Sequence, residues 1–428
     1  MKNIAVIGTG YVGIVTGACL AQKSNKVICV DNDRDKIAGI KRGVMPIYEL
    51  GLKELVLNNI ANERIDFTTD IEMAVKFADV IFIAVGTPPD DSGHANLNYV
   101  YQAAREIAHH IDRDDKVIVM KSTVPVGTND QIEKIMKMSR FATHVVSNPE
   151  FLREGVAIQD FMFPDRVVIG AENDFAFEVM CDVYTNIPAK IVRTNRRSAE
   201  LAKYGANAFL SAKIAFINEM ANLCEKTGAN VEDVAIAIGL DHRIGSKFLK
   251  AGPGFGGSCF PKDILALVET ARDHEAPFKL IETVIEINED RKKQMAKKVE
   301  KVVGTLVGKQ IAVLGLTFKP DTDDMRSSPS LTIISEMIEM GAGVKAYDPE
   351  GMENAKALLP DVDFHSCPYT CLTGADALVI ITEWPEFAAL DLNKVRNLMH
   401  DPIIIDLRNM FDPTTMRKLG FVYESIGR

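Results

Sequence analysis

Ile4-Ala5-Val6-Ile7-Gly8-Thr9-Gly10-Tyr11-Val12-Gly13 decides the fold of this 428-residue chain. A short apolar run meets three glycines in G-x-G-x-x-G spacing, and a helical pattern follows. That order reads as a buried strand turning sharply into a helix. The first glycine permits the tight turn, the second lets the backbone approach a pyrophosphate, and the third lets helix and strand pack closely. Free N–H groups and a partial positive charge at the helix start suit phosphates. A second apolar run, 26–30, leads to Asp31, eighteen residues past Gly13. A carboxylate there accepts hydrogen bonds from the adenosine ribose hydroxyls and repels a 2′-phosphate, which selects NAD over NADP. Gly8, Gly10, Tyr11, Val12, Gly13 and Asp31 are therefore candidate cofactor contacts. A site for FAD or another nucleotide, or a turn with incidental glycines, are the competing readings.

Working outward, apolar runs recur at 80–85, 116–120, 145–147 and 167–169, separated by helical patterns. Strands alternating with helices predict a parallel sheet with helices on both faces. Three of the strands run into loops rich in turn and polar residues: Gly86-Thr87-Pro88-Pro89, Ser122-Thr123-Val124-Pro125-Val126-Gly127-Thr128, and Asn148-Pro149-Glu150-Phe151-Leu152-Arg153-Glu154-Gly155. In a parallel sheet, ligands gather at the carboxyl ends of strands. Turn chemistry and helix caps explain the same residues without a ligand.

From about Ser198 the texture changes. Residues 199–226 hold no proline and place apolar residues at helical spacing, predicting one long helix that Gly228 ends. Another helix starts at Val231, and more helix is expected from Asp263 to about Val303. Near Gly308 the alternating pattern returns, with buried strands expected at 310–315, 344–347, 377–381 and 403–406. The fold class is thus α/β: an N-terminal Rossmann domain (1–197), a central all-helical domain with a long helix (198–303), and a C-terminal Rossmann-like domain (304–428). Ile311-Ala312-Val313-Leu314-Gly315 echoes Ile4-Ala5-Val6-Ile7-Gly8, which suggests a distant structural repeat, although any buried strand produces so short an echo.

One loop interrupts the helical region: Gly252-Pro253-Gly254-Phe255-Gly256-Gly257-Ser258-Cys259-Phe260-Pro261-Lys262-Asp263. Its glycines bring backbone close to something. Cys259 precedes an expected helix start, where the N-terminus lowers a thiol pKa, and Lys262 adds positive charge. A thiolate beside NAD can attack an aldehyde, and the adduct can lose hydride to become a thioester. A small buried cysteine beside a packing turn is the plain alternative. Cys19, Cys29, Cys181 and Cys224 read as packing, and Cys367 with Cys371 lacks a second ligand pair for zinc. No metal site is expected.

The net charge of −10 argues against nucleic acid or an anionic membrane as partner, though not against a small anionic substrate. No apolar run approaches the roughly 20 residues that span a bilayer, and the N-terminus lacks a signal-peptide pattern. Seven scattered cysteines form no disulfide framework, so a soluble protein in the reducing cytoplasm is expected.

The glycine turn, the Gly86-Thr87-Pro88 turn, Ser122 to Thr128, Asn148 to Gly155, Lys203 with Asn207, Gly254 to Asp263, and Phe318-Lys319-Pro320-Asp321-Thr322-Asp323-Asp324-Met325-Arg326 together resemble the UDP-glucose/GDP-mannose dehydrogenase family, in its UDP-glucose branch. The resemblance covers nearly the whole chain. It implies an NAD-binding domain, a helical dimerisation domain and a nucleotide-sugar domain. It also implies a four-electron oxidation of a sugar C6 alcohol to a carboxylate through a cysteine adduct, with a homodimer or higher homo-oligomer. By the same resemblance Cys259 is the nucleophile, and Lys203 and Asn207, four apart on the long helix, stabilise oxyanions at C6. Asp263 positions water or assists proton transfer, and Glu150 helps order the hydrolytic water. Thr123 and Glu154 lie near the nicotinamide, and Thr87, Lys36, Lys262 and Arg326 are further NAD contacts.

For the sugar nucleotide, the resemblance implies the element Glu150, Phe151, Leu152, Arg153 and Glu154, the segment Phe248, Leu249, Lys250, Ala251 and Gly252, and Gly256. Lys319 reaches the phosphates or sugar, Arg243 is donated across the dimer interface, and Arg408 lies near the sugar. The forms of the Asn148 and Cys259 elements point to UDP-glucose, with GDP-mannose next. A two-electron hydroxyacid dehydrogenase shares the Rossmann and helical parts but needs neither cysteine loop nor third domain. A non-catalytic NAD or sugar-nucleotide sensor would need a degraded site, and the motif residues are intact.

Overall fold

The computed structural model describes all 428 residues. The chain divides into two compact units, one of residues 1–206 with 265–276, the other of residues 207–264 with 277–428.

The first unit carries eight strands: β1 (Asn3–Ile7), β2 (Lys26–Val30), β3 (Ile65–Thr68), β4 (Val80–Ile83), β5 (Lys116–Met120), β6 (Thr143–Ser147), β7 (Arg166–Ala171) and β8 (Lys190–Thr194). They form one sheet in the order β3-β2-β1-β4-β5-β6-β7-β8. Side chains alternate between its faces. Ile4, Val6, Val80, Phe82, Val117 and Val119 enter one apolar cluster. Their neighbours Ala5, Ile7, Ile81, Ile83, Ile118 and Met120 enter another. Strands buried on both faces explain the unbroken apolar runs of the sequence.

The expectation of a wholly parallel sheet needs one correction, because β7 runs antiparallel to β6. The connection holds the Asn148–Gly155 loop and a helix of only six residues, Ala157–Met162. The chain returns beside β6 in the opposite sense.

The long helix runs Arg196–Thr227, 32 residues, and Gly228 ends it with φ +75°. The next helix is Val231–Gly239. The helix expected over 263–303 comes as two segments, Phe260–Asp273 and Lys279–Val303. Pro277, which has no N–H and clashes with the preceding turn, stands at the break.

The second unit carries β9 (Gln310–Leu314), β10 (Gly343–Tyr347), β11 (Asp363–Phe364), β12 (Ala377–Ile380), β13 (Ile403–Asp406) and β14 (Val422–Ser425). All pair in parallel, in the order β11-β10-β9-β12-β13-β14. Ile311, Val313, Val379 and Ile405 face one apolar cluster. Ala312, Leu314, Leu378 and Ile380 face the other. No helix is long and apolar enough to cross a membrane.

Candidate active site

At the glycine turn each glycine meets a different constraint. Gly8 has φ +102°, and a Cβ there would lie 2.6 Å from the Ala84 carbonyl oxygen. A Cβ on Gly13 would lie 1.9 Å from the Gly8 carbonyl oxygen, so helix and strand touch backbone to backbone. Around Gly10 nothing lies within 4 Å of that position. Gly10 is also the N-cap of the helix Tyr11–Gln22, and no side chain caps that end. An open approach and uncapped N–H groups at a positive helix end fit a pyrophosphate.

Asp31 follows β2. It accepts hydrogen bonds from the Thr9 N–H (3.0 Å) and hydroxyl (2.7 Å), and from Lys36 Nζ (2.9 Å). Burial acts against its charge, but Lys36 and Thr9 outweigh it and hold the carboxyl below its usual range. Lys36 thus stands beside Asp31, paired with its carboxylate.

Tyr11 reveals a residue that sequence reading missed. Its hydroxyl bonds Glu49, and Glu49 accepts from the N–H groups of Gly155 (2.7 Å) and Ala157 (2.7 Å). Burial and the Glu49 charge push the Tyr11 phenol well above its ordinary pKa. Glu49 therefore clasps the glycine turn to the loop that carries Glu150 and Glu154, and it also satisfies free N–H groups at the start of a helix. Nothing in its local sequence, Ile47-Tyr48-Glu49-Leu50, marks that pairing.

Two of the strand-end loops of the first unit meet each other, and the third meets the long helix. The Thr87 hydroxyl donates to the Thr123 carbonyl (3.0 Å), and both residues are buried. Lys203 Nζ lies 2.9 Å from Glu150 Oε1, with both side chains almost fully buried. Burial raises the Glu150 pKa, but Lys203, the Leu152 N–H and Lys121 more than reverse it. Phe151 is stacked by the Arg166 guanidinium, 3.6 Å from its ring centre. Leu152 packs against the apolar cluster beneath. Arg153 pairs with neither flanking carboxylate: it binds Asp160 through Nε (2.9 Å) and Nη2 (2.6 Å). Glu154 is buried.

In the second unit Cys259 is half-buried and immediately precedes the helix Phe260–Asp273, as its sequence context implied. The Asp263 N–H donates to the Cys259 carbonyl (3.0 Å), closing the first turn. Asp263 itself is 1% exposed, and its carboxylate accepts from Asn207 Nδ2 (2.6 Å) and Lys262 Nζ (2.6 Å). Asn207, Lys262, Asp263 and Cys259 are thus brought together. Lys262, expected at the cofactor, is bonded to Asp263.

Two glycines of the cysteine loop press against the segment from Phe318 to Ser328. A Cβ on Gly256 would lie 2.3 Å from the Ser327 carbonyl oxygen, and one on Gly257 2.8 Å from the Phe318 ring. Three buried polar residues that sequence reading missed hold the loop from behind. Asn288 bonds both the N–H (2.8 Å) and the carbonyl (3.1 Å) of Phe255. Asn218 accepts from the Gly252 N–H (2.9 Å). Arg291 Nε donates to the Gly252 carbonyl (3.0 Å), and its Nη1 to half-buried Asn222.

The substrate-side residues fall around this loop. Phe248 has φ +64°, rare for a bulky side chain. Leu249 and Ala251 are buried. Lys250 and Arg408 both face Glu383, at 3.6 Å and 3.0 Å. Arg408 Nη2 also donates to the Phe318 carbonyl (3.1 Å), and a Cβ on Gly252 would touch the Arg408 guanidinium. Glu383, missed from sequence, is held ionised against burial chiefly by Arg408 and Lys250. Lys319 Nζ lies 5.5 Å from the Phe318 ring centre. Arg326 binds Asp324 through two nitrogens, each at 2.8 Å. Arg243 is exposed and bonds its own neighbour Asp241.

Comparison with known proteins agrees along the chain. Residues 2–188 match the NAD binding domain of the UDP-glucose/GDP-mannose dehydrogenase family, 197–290 its central domain and 312–413 its UDP binding domain. The chain is 54% identical to a UDP-glucose 6-dehydrogenase of Rhizobium meliloti, over 100% of this chain and 99% of that one. It is 50% identical to the UDP-glucose 6-dehydrogenase TuaD of Bacillus subtilis, over 100% and 94%. A solved UDP-glucose dehydrogenase from Pyrobaculum islandicum superposes with a TM-score of 0.92 at 36% identity, covering 99% of this chain and 97% of that one.

Proposed function

Because the chain belongs to the UDP-glucose/GDP-mannose dehydrogenase family, we propose that it oxidises UDP-glucose to UDP-glucuronate with two molecules of NAD. The observation that carries the reading is the cluster at the start of the helix Phe260–Asp273: a half-buried thiol, with a buried carboxylate one turn on that is fixed by an amide and an ammonium.

Gly8, Gly10, Tyr11, Val12, Gly13, Asp31, Lys36, Thr87, Thr123, Glu154, Lys262 and Arg326 hold NAD, which when bound supplies the acceptor for the two hydrides that leave C6. The remaining work falls to the chain's own side chains. Lys203 and Asn207 hold the negative oxygen that forms on C6 as its hydroxyl proton passes to a water held by Asp263. Cys259 sulfur adds to the aldehyde carbon, and its electron pair becomes the C–S bond of a thiohemiacetal. Oxidation of that adduct leaves a thioester. Asp263 and Glu150 orient the water that attacks the thioester carbon. The C–S bond breaks, the thiolate departs, and the carboxylate remains. Alcohol, two NAD and one water give carboxylate, two NADH and three protons.

The segment 248–252, Gly256, Lys319 and Arg408 receive the sugar nucleotide, together with the loop from Glu150 to Glu154. We read residues 1–197, 198–303 and 304–428 as the parts that bind NAD, pair subunits and bind the nucleotide. Phe209, Phe216 and Leu223, seven residues apart along the long helix and 68%, 52% and 55% exposed, form an apolar stripe that suits a second copy of the chain. Arg243 is then offered to the partner's substrate. Seven free cysteines accord with the cytoplasm.

Limiting UDP-glucose assayed with excess NAD should yield two NADH per sugar, and Cys259→Ser should stall turnover at a bound intermediate. One NADH per sugar with aldehyde released, or unchanged turnover in the variant, would refute the mechanism. Parallel assays with GDP-mannose and with small hydroxy acids test the two alternatives.

A further inference from the structure

Lys121 ends up in an unusual place for a lysine. It follows β5, is 4% exposed, and donates from Nζ to Asn148 Oδ1 (3.1 Å) and to the Tyr184 hydroxyl (3.3 Å). Tyr184 also donates to Asn148 Oδ1 (2.5 Å), and Asn148 Nδ2 to the Val168 carbonyl (2.7 Å). Both partners of the ammonium are neutral: burial pushes the Tyr184 phenol above its ordinary pKa. A buried cation that gains only neutral hydrogen bonds is costly to the fold. Phe161 and Tyr184 flank it with their rings, at 5.8 Å each. Burial pushes Lys121 down to about 8, against the opposing pull of the Glu150 carboxylate.

The charged groups whose fields reach Lys121 are Glu150, which favours its charge, and Lys203, which opposes it. Glu150 in turn feels Lys203, Lys121 and the half-buried Arg166, itself answered by Asp165. Glu150 thus has two ammonium groups of different kinds. Lys203 is bonded to it directly, whereas Lys121 is tied to Asn148 and Tyr184. Asn148 opens the very loop that carries Glu150.

We propose that Lys121 is a positioning residue for the oxidation, a fixed cation that keeps Glu150 ionised and in place when Lys203 turns a proton toward the oxygen of C6. The proposal rests on the reading of Glu150 and Lys203 as site residues given above. Without a second cation, each approach of Lys203 to a substrate oxyanion would leave a buried carboxylate uncompensated, which costs more than an exposed one. A cation anchored by neutral groups cannot leave for the substrate, and so its field is constant through the cycle.

The test is the pH profile of kcat in Lys121→Met, Lys121→Gln, Lys121→Arg and Tyr184→Phe, each checked for folding by thermal melting. Removing a cation raises a carboxyl pKa, so the acid limb should move up by about one pH unit in Lys121→Met. Its kcat should fall about tenfold or more, with KM for UDP-glucose and for NAD within about threefold of wild type. Lys121→Gln, which can still bond Asn148, should behave alike and carries the test if the methionine variant does not fold. Lys121→Arg should retain the wild-type limb, and Tyr184→Phe, which keeps the charge, should as well. An unshifted limb in both neutral variants, or an equal shift in Tyr184→Phe, overturns the proposal. Wild-type protein that forms no NADH with UDP-glucose overturns the functional reading and this proposal together, whereas an active wild type with an unshifted Lys121→Met overturns this proposal alone.

Discussion

At the scale of single residues, the proposed cofactor choice turns on one carboxylate and the lysine beside it. Asp31 and Lys36 form an ion pair at 2.9 Å, with the lysine about one-third exposed. With Asp31 ionised, a 2′-phosphate meets a negative group, and the lysine is already engaged. Replacing Asp31 by Ala removes the ribose acceptor and frees a cation suited to a phosphate. Asp31→Ala should raise KM for NAD about tenfold and lower the NAD-to-NADP ratio of kcat/KM by about a hundredfold, or about 2.7 kcal/mol. Steady-state kinetics with both dinucleotides measures it, and an unchanged ratio would take Asp31 out of cofactor recognition. Asp31, Gly8, Gly10 and Gly13 are legible in the sequence alone, because steric exclusion and charge act at the residue that carries them. Glu49 and Lys121 are not, since each matters only through partners more than twenty residues away.

At the scale of elements, the cysteine loop is a glycine-rich segment held rigid from outside. Asn288, on the helix Lys279–Val303, satisfies both backbone polar groups of Phe255, four residues before the thiol. Asn288→Ala leaves a buried N–H and a buried carbonyl without partners. The loss should be about 2–4 kcal/mol of stability in urea unfolding, with kcat down about tenfold or more because the thiol is no longer fixed. Alkylation of Cys259 by iodoacetamide, followed by mass spectrometry, should change in rate as well. A variant that loses stability but keeps kcat would separate the clamp from the chemistry. Element boundaries show where sequence stops informing. The strands that patterning did not predict are β3, β8, β11 and β14, and each is an edge of its sheet. Edge strands are short and half solvated, so they carry residues such as Asp66, Arg193 and Glu424 in place of an apolar run. Central strands, buried on both faces, announce themselves.

At the scale of the whole molecule, two sheets built on one plan do different work. The orders β3-β2-β1-β4-β5-β6 and β11-β10-β9-β12-β13-β14 are the same topology, which the echo of Ile4–Gly8 in Ile311–Gly315 foreshadowed. Gly315 donates to the Tyr347 carbonyl (2.9 Å) as Gly8 does to that of Val30 (2.8 Å). Asp348 follows β10 as Asp31 follows β2. Yet Asp348 is fully buried and accepts from the N–H groups of Leu316, Thr317, Glu350 and Gly351 and from Trp384 Nε1. Its acceptors are consumed internally, so the second sheet has no carboxylate to offer a dinucleotide ribose there. A division of labour between the sheets leaves Arg243 to be explained, because it lies exposed and bonded to its neighbour Asp241. If it serves the site of a partner subunit, two inactive variants should repair each other. Arg243→Ala and Cys259→Ala, each inactive or nearly so alone, should regain activity when unfolded and refolded together, because a mixed dimer holds one site with both groups intact. Random pairing makes half of the dimers mixed, each with one working site of two. The mixture should therefore reach about a quarter of wild-type kcat per subunit. Homodimers refolded separately and then combined, without exchange, should stay inactive. Recovery in neither case would confine Arg243 to its own subunit.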